Sequence, residues 1–265
     1  MMKMENKFEC NMQGCCCKNL SERYTSKNKE IVKQFNESGP MYILLNPDEI
    51  TLPISCYEVL PLINIAKEKG IDFNPRPSNV LIDDKRKKVL VLMYDLGYAD
   101  CPFLDKNNAC SIYEDRPLIC RTYPFEYSVK GNMAIYTANE CVRVDRDYFN
   151  KSIGSLDNPR PVKETRQDII KYFGKETFTY AMMSDILYSR QSVAIKYFID
   201  NKDNPFFRIV RKPLRFMERK LSGFEFIPFN VFLRNVDVEE VKGLSFIADG
   251  KFYENLKNDV MDNYI

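Results

Sequence analysis

The chain has 265 residues, with 39 basic and 37 acidic side chains, a formal charge of +2 and an apolar fraction of 45%. That length and apolar content suffice for the core of one large or two small domains, and the near-balanced charge gives no bulk attraction to nucleic acid or to an anionic membrane. There is no histidine, which excludes Ser-His-Asp and Cys-His catalysis and histidine-based zinc hydrolase sites, and leaves carboxylates, Lys, Tyr, Cys or a metal for any chemistry.

The first residues, Met1 to Phe8, lack the apolar run of a signal peptide, and no stretch reaches a membrane-spanning length, so a cytoplasmic address is expected. Cys10, Cys15, Cys16 and Cys17 follow at once. Met41 to Leu45 reads as a short strand, and Asn46, Pro47 and Glu49 carry the cap, first-turn proline and N3 acid of a helix start that Pro53 ends early. A helix is expected over Glu58 to Lys69, with Val59, Leu62, Ile63 and Ala66 on one face and Gly70 as its stop.

Asn79 to Ile82 and Val89 to Tyr94 flank a charged turn and predict a β-hairpin; Glu126 to Val129 and Met133 to Thr137 around Lys130-Gly131 predict another. Between them lies a segment from Cys101 to Pro124 with three prolines and three cysteines. It has too little apolar periodicity to pack on its own core, and a metal would supply the missing cross-links.

All nine cysteines lie within residues 1 to 141, and the stretch from Lys151 to Pro161 has the Gly, Ser, Asn and Pro content of a connection. Two domains are therefore expected, a cysteine-cluster metal-binding domain over 1–150 and a mainly helical one over 151–265. The overall class is α+β: short hairpins and helices stapled by metal, then a mainly helical region. After Pro161 the apolar groups Ile169, Ile170 and Phe173, then Phe178, Ala181 and Met182, then Ile186 and Leu187, and later Val193, Tyr197 and Phe198 recur at helical spacing. From Phe206 to Lys220 six cations interleave with aromatics, while Phe207, Val210, Leu214, Met217 and Leu221 keep the spacing of an amphipathic surface helix that Pro213 interrupts. A terminal helix is expected around Phe252 to Met261.

Eight cysteines form the candidate metal site: Cys10, Cys15, Cys16, Cys17, Cys101, Cys110, Cys120 and Cys141. Thiolates are soft ligands that select zinc or iron-sulfur clusters, and in a reducing compartment a high cysteine density points to metal rather than to disulfides. Cys56 stands outside both groups and is expected to be a buried small apolar residue. Tyr113, Arg116, Arg121 and Tyr123 sit among the ligands, where they donate hydrogen bonds to thiolates, bind an anionic substrate, or only brace the loop. No glycine pattern for a nucleotide is present. A catalytic residue is not identifiable.

The run of Cys101, Cys110, Ile112-Tyr113, Arg116-Pro117, Cys120-Arg121 and Tyr123-Pro124 closely resembles the signature segment of the YkgJ-type cysteine-cluster family, whose members are described as zinc- or iron-chelating domains. The N-terminal group and Cys141 fit the same pattern, except that Gln13 stands where the pattern has its second cysteine; either Cys15 replaces that ligand or one site is lost. The resemblance implies a metal- or cluster-binding domain; on the residues themselves an iron-sulfur cluster, in a redox-active or protein-modifying protein, is preferred to zinc in a structural interaction module or a metal-delivery protein. One branch is similar to flagellin lysine N-methylases, which would imply S-adenosylmethionine and a protein substrate. A protein partner is expected on either reading, and nucleic acid is not.

Overall fold

The computed structural model describes residues 14–18, 20, 26–123, 125–128, 134–137, 147, 160–201, 204–238, 241, 243–245 and 250–264. Two compact units are present: Met1–Cys17, Leu104–Tyr188 and Gly250–Ile265 make one, and Lys18–Phe103 with Ser189–Asp249 make the other. The mixture of helices and short strands is α+β, as the residue pattern predicts.

The second unit is built on strands β1 (Met41–Ile43), β2 (Pro53–Ser55), β3 (Arg76–Asp83), β4 (Lys88–Asp95) and β8 (Glu225–Pro228). β3 and β4 form the predicted hairpin, with Ile82 opposite Val89 and Leu81 opposite Leu90. β1 adds to β3 antiparallel. β2 and β8 share the other edge of β4, β2 antiparallel along Met93–Asp95 and β8 parallel along Lys88–Val91. Val89, Leu90, Val91 and Leu92 are all buried, because helices and turns cover both faces, and a strand covered twice reads as a continuous apolar run instead of alternating.

On one face Tyr42, Val80, Ile82, Val89 and Val91 pack against Leu214, Met217 and Leu221. Helix α1 (Ser26–Ser38) brings Val32 onto Ile43 and Ile50. Helix α2 (Val59–Glu68) buries Val59, Leu62 and Ala66. Around Phe198 gather Phe207, Phe229 and Phe232 at centroid distances of 5.7–6.4 Å, tilted or edge-on as aromatic quadrupoles prefer.

The segment from Phe206 to Lys220 is not a helix. Val210 donates its N–H to the Ile82 carbonyl and Arg208 donates its N–H to the buried Asp83 carboxylate, so the first half runs extended along β3. After Pro213 come two 3-10 turns, Leu214–Phe216 and Glu218–Gly223. The apolar residues go inward as their spacing indicates, but proline and the hydrogen bonds to the strand end replace the helix. Val193 also departs from expectation: it is 60% exposed.

The first unit holds the second predicted hairpin, β5 (Phe125–Ser128) and β6 (Ala134–Thr137), with β7 (Arg160–Pro161) on β6, and the short helix α3 (Leu118–Thr122). The helical region begins with α4 (Val162–Phe173) and α5 (Lys175–Asp200), separated at Gly174, whose φ of +92° ends α4 in a conformation that L side chains rarely adopt. α6 (Phe229–Leu233) belongs to the second unit and α7 (Gly250–Tyr264) closes the first. Thr179 on α5 donates its hydroxyl to the Lys175 carbonyl at 2.9 Å and lies 3.5 Å from the Met261 sulfur, and Lys257 pairs with Glu176 at 3.3 Å.

Candidate metal centre

Cys15, Cys16 and Cys17 form a single 3-10 turn. Gly14 precedes it at φ +68°, and the Cys17 N–H donates to the Gly14 carbonyl at 2.9 Å. Cys16 and Cys17 are adjacent in sequence, and side chains on an extended strand would point apart; the tight turn instead brings their sulfurs to 3.7 Å. Gly14 is buried against the second cysteine segment: a Cβ there would stand 2.8 Å from the Asn108 carbonyl oxygen and 2.9 Å from Leu104 Cδ1.

That second segment is shaped by Asp105. Its carboxylate accepts the N–H groups of Asn107 and Ala109, both at 2.8 Å, while its own N–H donates to the Ala109 carbonyl. Asn108 takes φ +62°, a conformation Asn tolerates better than most residues. The turn pairs Leu104 with Cys110 and so presents Cys110 beside the Gly14 turn. Further on, Pro117 fixes the start of α3, and the Cys120 N–H donates to the Pro117 carbonyl at 2.9 Å.

Four thiols from two distant parts of the chain thereby act on one another. Burial pushes the Cys120 thiol well above its usual range, and the neighbouring thiols of Cys17, Cys16 and Cys110 add to the shift; the Arg116 guanidinium opposes it. Cys110 is also pushed up by burial, with the Ile112 N–H and Arg116 opposing and Cys16 and Asp105 adding. All four cysteines are half-buried. Among the described residues no group of three or more Cys, Asp or Glu side chains is placed so that it could hold a metal ion.

The residue types nevertheless suit a thiolate-bound ion, and one pair has the spacing for it. With metal–sulfur bonds of about 2.3 Å, two ligands of one tetrahedral ion lie about 3.8 Å apart, and the Cys16–Cys17 separation of 3.7 Å matches that edge. Cys101 is half-buried and belongs to the other unit. Cys10, Cys141 and the Cys15 side chain lie outside the described residues. Cys56 is fully buried, its thiol pushed up to about 12 by burial, and it accepts a long contact from the Gln191 amide at 3.7 Å in the second unit's core.

Of the residues between the ligands, Arg116 faces the thiols electrostatically, stacks on the Tyr113 ring at 3.6 Å and donates to the Tyr113 carbonyl. Arg121 braces the loop: it donates to the carbonyls of Glu114 and Arg116 and, at 3.1 Å, to the Tyr180 hydroxyl. Its guanidinium also lies over the rings of Tyr180 and Tyr253. Tyr123 is half-buried beside α3. Sequence reasoning missed Gly14, Asp105 and Asn108 as shapers of the site; the only local signal was the turn-forming character of Asp-Lys-Asn-Asn and a lone glycine before the cysteines. Tyr180 and Tyr253 carried no signal, since only the tertiary fold brings them to Arg121.

No helix among the described residues is long and apolar enough to cross a membrane. No curated protein and no solved structure matches the chain. Residues 63–145 match the family model CxxCxxCC, described as "Putative zinc- or iron-chelating domain"; that range takes in Cys101, Cys110, Cys120 and Cys141 and leaves the N-terminal cysteines outside. Over those residues the chain carries a cysteine-cluster domain of the CxxCxxCC zinc- or iron-chelating family.

Proposed function

We propose that the protein binds a single tetrahedral zinc or iron ion through Cys16, Cys17, Cys110 and Cys120. The observation that carries this reading is the 3.7 Å separation of the Cys16 and Cys17 sulfurs, supported by the electrostatic influence these thiols have on Cys110 and Cys120. Ligands drawn from two stretches nearly a hundred residues apart couple metal binding to folding, because the ion holds together what short apolar segments alone hold weakly. The Arg116 cation offsets part of the negative charge that four thiolates would bring. Bound in this way, the ion supplies a structural staple, in a protein that meets a protein partner in a reducing compartment.

A two-iron sulfur cluster is the second reading. It takes the same four thiolates, two on each iron, and the close pair Cys16 and Cys17 would share one iron. Redox or protein-modifying activity would follow from this reading and not from the first. Anaerobic purification followed by elemental analysis for zinc, iron and acid-labile sulfide, with an absorption spectrum, decides the matter. One metal per chain without sulfide supports the single ion; iron with equimolar sulfide and visible absorption supports the cluster. A folded protein without either metal would overturn both.

A further inference from the structure

The six cations between Phe206 and Lys220 are not taken up by the metal centre, and their placement sets them apart from a solvated helix face. Leu214, Met217 and Leu221 are buried on the β3–β4 sheet, so the two 3-10 turns that carry them expose what lies between: Arg215, Phe216, Arg219 and Lys220. Phe216 is 58% exposed, with the Arg215 guanidinium 5.2 Å from its ring centre. Arg208, Arg211 and Lys212 are exposed on the extended part of the same segment.

The hairpin tip joins this surface. Lys220 reaches Asp84 at 3.8 Å, and the Glu225 N–H donates to the Lys87 carbonyl, which sets the exposed Lys85, Arg86 and Lys87 next to the turns. β8 then places Phe226, 40% exposed, opposite Val89. Some of these cations are engaged: Arg86 with Asp83 and the Pro205 carbonyl, Arg211 with the Ile199 carbonyl. Most of the surface charge remains turned to solvent. In a chain whose net charge is only +2, this is a local concentration of cations around protruding aromatics.

We propose that this surface docks on an anionic phospholipid bilayer, with Phe216 entering the headgroup region and the surrounding cations meeting lipid phosphates and carboxylates. Charge complementarity selects an anionic partner. The form of the patch selects a bilayer over a nucleic acid. From Phe206 to Leu221 there is no Asn, Gln, Ser or Thr, the side chains that alongside Arg and Lys read base edges. Phe216 projects from a turn, where an aromatic ring enters a lipid interface without needing a shaped pocket.

The test is co-sedimentation of the full chain, as purified, with vesicles of phosphatidylcholine alone or mixed with phosphatidylserine. Binding is expected only to the mixed vesicles, falling steeply as salt is raised. Arg215→Gln and Arg219→Gln should each weaken it about fivefold, and Phe216→Ser about tenfold. Glu218→Lys, which removes the segment's only acid, should strengthen it, a gain that misfolding cannot mimic. Equal binding to both vesicle types, no binding at low salt, unchanged binding in these variants, or a preference for heparin or an oligo-dT strand over the mixed vesicles would each overturn the proposal.

Discussion

Gly14 lies so close to Asn108 that a Cβ on the glycine would stand 2.8 Å from the Asn108 carbonyl oxygen. This contact joins the two cysteine segments, one side contributing Cys16 and Cys17 and the other Cys110. Gly14→Ala should therefore act twice, through the φ of +68° and through the overlap with backbone. We expect a loss of about 2–3 kcal/mol in stability and a matching fall in metal affinity. Gly70 has a similar φ of +64° with nothing within 4 Å of the added carbon, so Gly70→Ala should cost only about 1 kcal/mol and leave metal affinity unchanged. Equal metal affinity in both variants, read by chelator competition, would show that the contact does not position the ligands.

Single substitutions should separate the cysteines by role. Cys110→Ser and Cys120→Ser should each lose most bound metal and destabilise the protein by several kcal/mol, because a ligand lost from a site that cross-links distant segments is folding energy lost. Cys56→Ala should keep its metal and cost about 1–2 kcal/mol, the price of a small cavity in a packed core. Metal content by elemental analysis, together with a denaturant melt, checks all three. In the native protein Cys56 should also resist alkylation at pH 8, since its thiol is buried and pushed up to about 12.

Metal affinity should rise with pH. Cys110 and Cys120 are both raised above the usual thiol range by burial first, so near neutrality they are protonated and an incoming ion must displace their protons. Each displaced proton makes the apparent affinity climb about tenfold per pH unit until the folded-state value is passed. Arg116→Gln removes the cation that holds these thiols down; it should weaken binding at pH 7 and matter less at pH 9, while Arg116→Lys should restore much of the loss. Titration of zinc with a competing chromophoric chelator at several pH values reads this directly, and a pH-independent affinity would contradict it.

Asp185 on α5 is pushed up by burial. An acid raised in the folded state is protonated in both states at low pH and contributes nothing there. As pH rises from the ordinary carboxylate value through the raised one, the unfolded chain ionises first and stability falls, and the deficit persists above that window. Asp185→Asn should thus raise the thermal midpoint at pH 7 by about 1–3 °C, a modest gain because the group is only half-buried, and give no gain near pH 3. A larger gain in acid would reverse the sign of this argument.

The sequence by itself determined the metal-binding character of this chain, its α+β class and most of its elements. Thiol chemistry is carried by residue type, so Cys110 and Cys120 in a proline-broken loop announced a metal before any fold was known. The β3–β4 hairpin and helix α2 followed from local apolar periodicity and a glycine stop, signals that span a few residues and survive without context. The tertiary structure alone decided what is non-local. It set the Cys15–Cys17 turn against the segment that carries Cys110 by seating Gly14 on Asn108, and it drew the Cys16 and Cys17 sulfurs together through a 3-10 turn that no periodicity encodes. It paired β8 in parallel with β4, and it drew the segment around Val210 out of a helix because Ile82 offered its carbonyl. Such partners come from far along the chain, and the hydrogen bonds and packing that choose them exist only once both are in place.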